Sequence, residues 1–395
     1  MFLYYLKKNL KFKILFLFLL IFVVFFTLNF RCYTYAIGVS ARHGAIVIDS
    51  LTGEVLFEQD ADQIAPIAST TKIVSTMVVL ENAKNLDEPF VIDSSVINVE
   101  GTSMGLREGY VVTLRDLCYG MMLASGNDAA NAAAIRVAGS VDGFVKMMND
   151  RAKQLGCKYT VFKTPSGLDS EEQKSKRRHK IDLDDALKLP HSTARELAML
   201  TREAMKNEIF REICSTKKIT LKFGNPALEQ TYCERTFYNH NKLLNQLKGI
   251  CCGVKTGFTK NAGRCLVSAG RKNGVELIAV VLNDHDDWFD SKNLLNYCFS
   301  KFKKYKFNLD VSDLKLKVLS ESKNKIKLKL EQPLELSLTD KVAGESSKRL
   351  KCKLNFFEYN FAPIRAGEKL GHAEYYLDDQ YVGKVNLLAD ENVLS

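Results

Sequence analysis

The chain has 395 residues, of which 46% are hydrophobic and 26% are charged, and its formal net charge is +10. This composition excludes wholesale disorder, and the length exceeds the roughly 250–300 residues that one hydrophobic core serves, so we expect two domains. The basic excess is mild and no aromatic residues interleave a basic stripe, so a nucleic-acid partner is not expected.

The first 36 residues have the pattern of a secretory signal. Lysines within 7–13 precede an unbroken apolar run, 14–26, and Thr34-Tyr35-Ala36 offers a cleavage site. The run is shorter than the ~20 residues that a membrane span prefers. We therefore predict export, with the rest of the chain outside the cytoplasmic membrane. An uncleaved signal that holds the chain at the membrane surface is the alternative.

Two hairpins are predicted in the segment that follows. Residues 45–48 and 55–57 flank Thr52-Gly53, which indicates an early hairpin. Residues 264–269 and 275–282 are joined through Asn273-Gly274, and Asn-Gly between apolar runs is the strongest short hairpin signal.

The pattern between the hairpins is mainly helical. A helix that is apolar nearly all round follows Ser69, and such a helix is buried. Thr113 with Asp116 indicates another helix start, and Ser192 or Thr193 is expected to cap a helix that runs to Met205. Residues 171–190 have no periodicity and are predicted to form a basic loop.

The pattern changes near residue 306. Residues 314–318, 326–330 and 350–354 alternate apolar residues with lysines, which is typical of half-buried strands. The predicted organisation is a signal (1–36), an α+β domain (37–305) and a small all-β sandwich (306–395).

Three short motifs occur in order: Ser69-Thr-Thr-Lys72, Ser125-Gly-Asn127 and Lys255-Thr-Gly257. Ser-x-x-Lys alone carries little information, because it recurs, for example at Ser215/Lys218. Lys-Thr-Gly occurs once. The ordered set is a signature of class A β-lactamases and penicillin-binding proteins.

The spacing of the first motif suits nucleophilic catalysis. Residues three apart share a helix face, so Lys72 lies beside Ser69 and can accept its proton if burial and a nearby charge lower the lysine's pKa. Lys255 is predicted to supply that charge. Backbone N–H groups of Ser69 and Phe258 are predicted to stabilise an oxyanion.

The other motif residues suit proton relay and binding. Ser125 is predicted to relay protons to a leaving amine, and Asn127 can hold a substrate amide. Lys255 and Thr256 fit a ligand carboxylate, and Gly257 lets substrate backbone approach the strand closely.

The chain resembles a low-molecular-mass penicillin-binding protein of the serine D-alanyl-D-alanine carboxypeptidase family. The resemblance rests on the three motifs with their neighbours, within 65–72, 122–130, 253–259 and 280–283. It implies an antiparallel sheet flanked by helices, release of D-Ala from peptidoglycan stem peptides through an acyl-enzyme, and inhibition by β-lactams. It also implies Ser69 as the nucleophile, Lys72 as the general base, and the other motif residues as the rest of the site. No metal or cofactor is expected, and we expect a monomer.

The chain departs from the family pattern in one motif, and two other functions stay open. Residues 164–169 read Thr-Pro-Ser-Gly-Leu-Asp where an Asn-Pro-His-Gly-Leu-Asp type of segment is expected.

A β-lactamase would need a deacylating glutamate, for which Glu203 is the nearest match. A non-catalytic β-lactam sensor or wall-binding scaffold would keep the same motifs. A zinc peptidase is disfavoured because the six histidines form no His-Glu-x-x-His motif.

Overall fold

The structure, a computed structural model, describes residues 38–97, 99–169, 183–223, 233–321, 324–356 and 360–394. The predicted signal, 1–36, lies outside these ranges, as does 171–182 of the predicted basic loop. Residues 39–395 form one compact unit. Within the described ranges, no helix has both the length and the apolar character needed to cross a bilayer.

Helices and strands alternate through most of the chain. The strands are β1 (Ala45–Asp49), β2 (Val55–Gln59), β3 (Ala65–Pro66), β4 (Phe90–Val91), β5 (Val111–Val112), β6 (His191–Ser192), β7 (Lys218–Phe223), β8 (Cys233–Tyr238), β9 (Cys251–Thr259), β10 (Gly263–Lys272), β11 (Val275–Val281), β12 (Lys303–Phe307), β13 (Lys315–Leu319), β14 (Lys325–Leu330), β15 (Leu334–Leu338), β16 (Leu350–Phe356), β17 (Asn360–Phe361), β18 (Lys369–Leu377) and β19 (Gln380–Ala389). The helices are α1 (Lys72–Asn82), α2 (Leu114–Leu123), α3 (Asn127–Ala138), α4 (Val141–Gln154), α5 (Leu183–Lys188), α6 (Ala194–Ala204), α7 (Glu208–Ser215), α8 (Leu243–Gln246), α9 (Asp287–Phe299), α10 (Asp340–Gly344) and α11 (Ser346–Arg349).

A five-stranded antiparallel sheet, in the order β2-β1-β11-β10-β9, is the framework of the first domain. It contains both predicted hairpins, which are confirmed. Asn273 and Gly274 have φ values of 52° and 81°, the left-handed conformations that a tight hairpin turn of the Asn-Gly kind requires. All residues of β11 are buried, since helices cover the sheet. The predicted α+β fold class is confirmed.

Local side-chain chemistry fixes where the helices begin. Thr113 and Asp116 form the predicted capping box at the start of α2. At α6 the alternative is resolved in favour of Thr193, whose hydroxyl accepts a hydrogen bond from the Glu196 N–H. The prediction for residues 171–190 was wrong in its last part, because 183–188 form helix α5, where Ala186 is buried.

The C-terminal domain is built from strands, as predicted. A six-stranded sheet, in the order β16-β18-β19-β14-β13-β17, packs with the β12-β15 pair around a core that includes Leu334, Tyr375 and Val385. Two short helices, α10 and α11, interrupt the strands, and Thr339 caps the first. The predicted boundary at residue 306 stays a prediction, although β12 already pairs with β15 from Lys303.

Candidate active site

The first motif lies at the junction of a short 3-10 helix and helix α1. Ser69 is in the 3-10 turn Ala68–Thr71, and Lys72 begins α1. The predicted helix after Ser69 is confirmed, and a 3-10 turn precedes it, in which Ala68 takes a left-handed φ of 47°. The predicted contact forms: Lys72 Nζ lies 3.0 Å from Ser69 Oγ.

The Lys72 ammonium group is fully enclosed. Its side chain is 0% exposed, and Nζ donates to Asn127 Oδ1 at 2.7 Å and to the Ser166 carbonyl at 2.8 Å, besides its contact with Ser69. Burial, followed by repulsion from Lys255, holds the pKa of Lys72 well below its ordinary value of 10.5, while Asp128 acts in the opposite direction. A lowered pKa favours the neutral amine, which is the form of lysine that can accept a proton.

The second motif lies at the turn between α2 and α3. Ser125 has a left-handed φ of 60°, and its carbonyl accepts a hydrogen bond from Thr102 Oγ1 at 2.7 Å. Asn127 begins α3 and is 2% exposed; besides accepting from Lys72, it donates from Nδ2 to the Glu100 carbonyl at 2.7 Å. Both the oxygen and the nitrogen of the Asn127 amide therefore form hydrogen bonds within the protein.

Asp128 organises the loop in front of this turn. Its buried carboxylate accepts hydrogen bonds from the N–H groups of Met104, Gly105 and Leu106, each at 2.9 Å, and from Ser103 Oγ at 2.6 Å. The Asp128 charge also raises the pKa of Lys72, against the effects of burial and Lys255. Asp128 was not predicted as a site residue from the sequence, although an acid in the first turn of a helix is a recognisable signal.

The third motif lies on β9, which is an edge strand of the sheet. One side of β9 pairs with β10, and the other side faces the turn that carries Ser69. Gly257 lies against that turn: a Cβ there would be 3.0 Å from the Ile67 carbonyl and 3.1 Å from the Thr70 nitrogen. A side chain at position 257 would therefore hold the strand away from the turn that carries Ser69.

Lys255 is the second buried cation of the site. It is 1% exposed, its Nζ donates to the Thr256 carbonyl at 2.9 Å, and burial lowers its pKa to about 7. Alternation along the strand places Thr256 and Phe258 on the opposite face from Lys255, and the Phe258 side chain is 66% exposed.

Residues 164–169 lie against the first motif. Lys72 bonds to the backbone carbonyl of Ser166, so this contact does not depend on which side chain stands at position 166. Gly167 has a φ of 79°, and a Cβ there would lie 2.0 Å from the Ala68 carbonyl. Asp169 accepts a hydrogen bond from Asn261 at 2.8 Å, which ties this segment to the β9–β10 turn.

Five of the predicted site residues lie around one location. Direct contacts join Ser69, Lys72 and Asn127, Lys255 acts electrostatically on Lys72, and Gly257 packs on the turn that carries Ser69. Within the described residues, the side chains of Ser125, Thr256 and Phe258 form no hydrogen bond to this group. Among the described residues, no group of three or more His, Cys, Asp or Glu side chains could hold a metal ion. The nine cysteines of the described ranges, from Cys118 to Cys352, are free thiols.

The fold and the comparisons with known proteins place the chain in the class of serine peptidases, which are hydrolases. The chain belongs to the D-alanyl-D-alanine carboxypeptidase family, whose sequence model matches residues 34–286. A second family model, described as penicillin-binding protein 5, C-terminal domain, matches residues 299–395. The family predicted from the three motifs is thereby confirmed.

Relatives and solved structures agree with this assignment. The chain is 28% identical to D-alanyl-D-alanine carboxypeptidase DacF of Bacillus subtilis, over 88% of this chain and 85% of the relative. It is similar to the crystal structure of the Streptomyces K15 DD-transpeptidase, with a TM-score of 0.59, 31% identity, and coverage of 67% and 98%. It is also similar to the crystal structure of penicillin-binding protein 5 from Haemophilus influenzae, with a TM-score of 0.58 and 25% identity, over 91% of this chain and 98% of that chain.

Proposed function

We propose that this enzyme removes the terminal D-Ala from peptidoglycan pentapeptide stems through an acyl-enzyme on Ser69. The observation that carries the proposal is the enclosed contact between Lys72 Nζ and Ser69 Oγ at 3.0 Å. A serine hydroxyl becomes a competent nucleophile when an adjacent base takes its proton. Burial and Lys255 lower the pKa of Lys72, which favours the neutral amine that this role requires.

In the acylation step, Ser69 Oγ attacks the carbonyl carbon of the penultimate D-Ala, and Lys72 accepts the hydroxyl proton. The tetrahedral oxyanion is stabilised by the backbone N–H groups of Ser69 and Phe258, the two donors predicted from sequence. Loss of one such donor typically costs about 3–4 kcal/mol of transition-state stabilisation. The C–N bond then breaks, and an ester to Ser69 remains.

The leaving D-Ala nitrogen must gain a proton as the C–N bond breaks. We assign the relay to Ser125, which lies on the turn two residues before Asn127. Asn127 accepts from Lys72 and donates to the Glu100 carbonyl, so its contribution includes orienting the base. A substrate amide that binds Asn127 has to replace or share one of these bonds.

The free carboxylate of the terminal D-Ala is assigned to Lys255 and Thr256. An anion beside Lys255 compensates the burial that lowers the pKa of this lysine to about 7, so substrate binding and protonation of Lys255 reinforce each other. Gly257 lets β9 lie directly against the turn that carries Ser69, and extended substrate can pair with the open edge of β9 beside that turn.

Hydrolysis of the ester by water completes the reaction, and β-lactams acylate the same serine. The β-lactamase alternative depends on a deacylating glutamate. Glu203 does not support it, because this carboxylate forms ion pairs with Arg151 at 3.1 Å and Lys206 at 2.7 Å on helix α6. A β-lactam sensor would have the same site geometry, so only a measurement of turnover distinguishes a sensor from a carboxypeptidase.

We further propose that the enzyme is exported by residues 1–36, acts as a monomer, and serves peptidoglycan maturation outside the cytoplasmic membrane. The support is the sequence pattern of the N-terminal segment and the cell-wall substrate named by the family. The proposed domain boundary is near residue 306.

Labelled penicillin tests the assignment of the nucleophile. We expect residues 37–395 to take up the label and Ser69→Ala to abolish it. Ser215→Ala is the matched control, because Ser215 and Lys218 form another Ser-x-x-Lys sequence, in which Ser215 ends α7 and Lys218 starts β7. Labelling that survives in Ser69→Ala, or is lost in Ser215→Ala, would contradict the assignment.

Turnover separates an enzyme from a sensor. A muramyl pentapeptide is incubated with the protein, and the moles of D-Ala released per mole of protein are measured. Many equivalents of D-Ala support the carboxypeptidase, whereas acylation by penicillin without D-Ala release above one equivalent identifies a sensor.

A further inference from the structure

The C-terminal sheet carries four lysines that face one another. Lys315 lies directly opposite Lys327, and Lys317 lies directly opposite Lys325, in the antiparallel pair of β13 and β14. All four side chains are exposed. The alternate residues of both strands, including Val318 and Ile326, point inward to a buried core. We call these four lysines the lysine face.

The charges of the lysine face are not compensated within the described residues. None of the four forms an ion pair there, whereas Lys329, next along β14, pairs with Asp390 at 3.4 Å. Glu391 accepts a hydrogen bond at 3.3 Å from the backbone N–H of Lys327. Like charges directly opposite each other destabilise a sheet, so an anion bound at this face would offset the repulsion.

Exposed apolar side chains lie at the end of the lysine face. Leu319 continues β13 and pairs with Phe361 on β17, and they are 56% and 67% exposed. Leu394, 71% exposed, is held beside them because Ser320 donates a hydrogen bond to its carbonyl. We call these three residues the apolar edge.

We propose that the lysine face and the apolar edge bind the surface of an anionic lipid bilayer. Lysines beside exposed apolar side chains match the two layers of such a surface, with phosphate headgroups outside and acyl chains beneath. A soluble polyanion would match the lysines alone and would leave the apolar edge in water. This inference goes beyond the proposed hydrolysis and does not depend on it.

Vesicle sedimentation tests the proposal. Residues 39–395 are used because they form one compact unit and because the predicted signal would itself enter a bilayer. The vesicles contain phosphatidylglycerol and phosphatidylcholine, or phosphatidylcholine alone. We expect binding to the anionic vesicles only, weakening as salt is added.

The decisive variant replaces Lys315, Lys317, Lys325 and Lys327 with Gln. Each lysine near an anionic surface raises partitioning by about fivefold, so we expect a loss on the order of several hundred-fold. The matched control makes the same change in net charge at four exposed lysines elsewhere and is expected to bind within about twofold of the parent. Its substitutions are at Lys84, Lys153, Lys158 and Lys272. Leu319→Ser with Phe361→Ser is expected to lower the binding that persists at high salt.

Several outcomes would overturn the proposal. An equal loss in the control variant would show that net charge alone drives binding. Binding to a soluble polyphosphate but not to vesicles would identify a phosphate polymer as the ligand. A loss of less than about tenfold in the four-Gln variant would also refute it. The thermal unfolding midpoint of that variant is expected to be equal to or above that of the parent, because repulsion between the lysines is removed. A lower midpoint would reveal misfolding independently of the binding measurement.

Discussion

Replacing Lys255 with Met is expected to stabilise the protein while it removes activity. Methionine is similar in length and leaves no ionisable group in a position that is 1% exposed. Burial lowers the pKa of Lys255 to about 7, whereas a lysine in the unfolded chain has a pKa of about 10.4. Between these values the unfolded chain binds more protons than the folded one, so the stability of the parent rises with pH across this interval.

The magnitude follows from the two pKa values. At pH 7 the protonation penalty at Lys255 is about 4 kcal/mol, and at pH 9 it is about 2 kcal/mol. The methionine variant lacks this penalty but also loses the 2.9 Å hydrogen bond to the Thr256 carbonyl, worth about 1 kcal/mol. We therefore expect a net gain in the free energy of unfolding of about 3 kcal/mol at pH 7, shrinking by about 2 kcal/mol by pH 9.

Urea unfolding of the parent and the variant at pH 7, 8 and 9 measures this difference. Lys218→Met, at an exposed position on β7, serves as a control in which no such dependence on pH is expected. Release of D-Ala by Lys255→Met is expected to fall at least about 100-fold, because the carboxylate partner is gone. A variant less stable than the parent at pH 7, or a difference that does not change up to pH 9, would refute the reasoning.

Four further predictions concern the groups around Lys72. Asp128→Asn should lower the free energy of unfolding by about 3 kcal/mol, measured by urea unfolding, because charge-assisted hydrogen bonds to the loop at 103–106 are weakened. Gly167→Ala should lower penicillin acylation at least about tenfold, because its Cβ would collide with the Ala68 carbonyl; acylation at the parent rate would contradict this. Lys72→Met should fold, as judged by circular dichroism, and acylate at least about 1000-fold more slowly, since no base remains. With a peptide that ends in a carboxylate, kcat/KM should decline as pH rises through about 7, where free Lys255 loses its proton, and the corresponding C-terminal amide should show no such decline.

The features that local sequence determines were predictable. Asn273-Gly274 predicted the β10–β11 turn because few residue pairs adopt two successive left-handed conformations. Thr113 with Asp116 predicted the start of α2 because both hydrogen bonds of a capping box lie within four residues. The contact between Ser69 and Lys72 followed from a spacing of three residues, which brings side chains together in a 3-10 turn as well as in an α-helix.

The features that depend on distant segments were not predictable. The Ser166 carbonyl reaches Lys72 across 94 positions, and a backbone atom leaves no signature in the residue types. Asp128 bonds to a loop more than 20 residues earlier, so its type indicated a helix start without showing which groups it would hold. Helix α5 was missed because charged residues dominate 171–190, while the burial of Ala186 depends on tertiary packing.

The two buried lysines raise a question about substrate binding. In the proposed mechanism, a substrate carboxylate beside Lys255 cancels part of the repulsion that lowers the pKa of Lys72, and this change alone favours the protonated form of Lys72. Burial is the larger cause of the shift in the pKa of Lys72, and repulsion from Lys255 comes second. A bound substrate also excludes water from the site, which strengthens the effect of burial. Under the proposed mechanism, burial therefore still lowers the pKa of Lys72 when Lys255 is neutralised, which favours a cation for recognition beside a neutral amine for catalysis in one site.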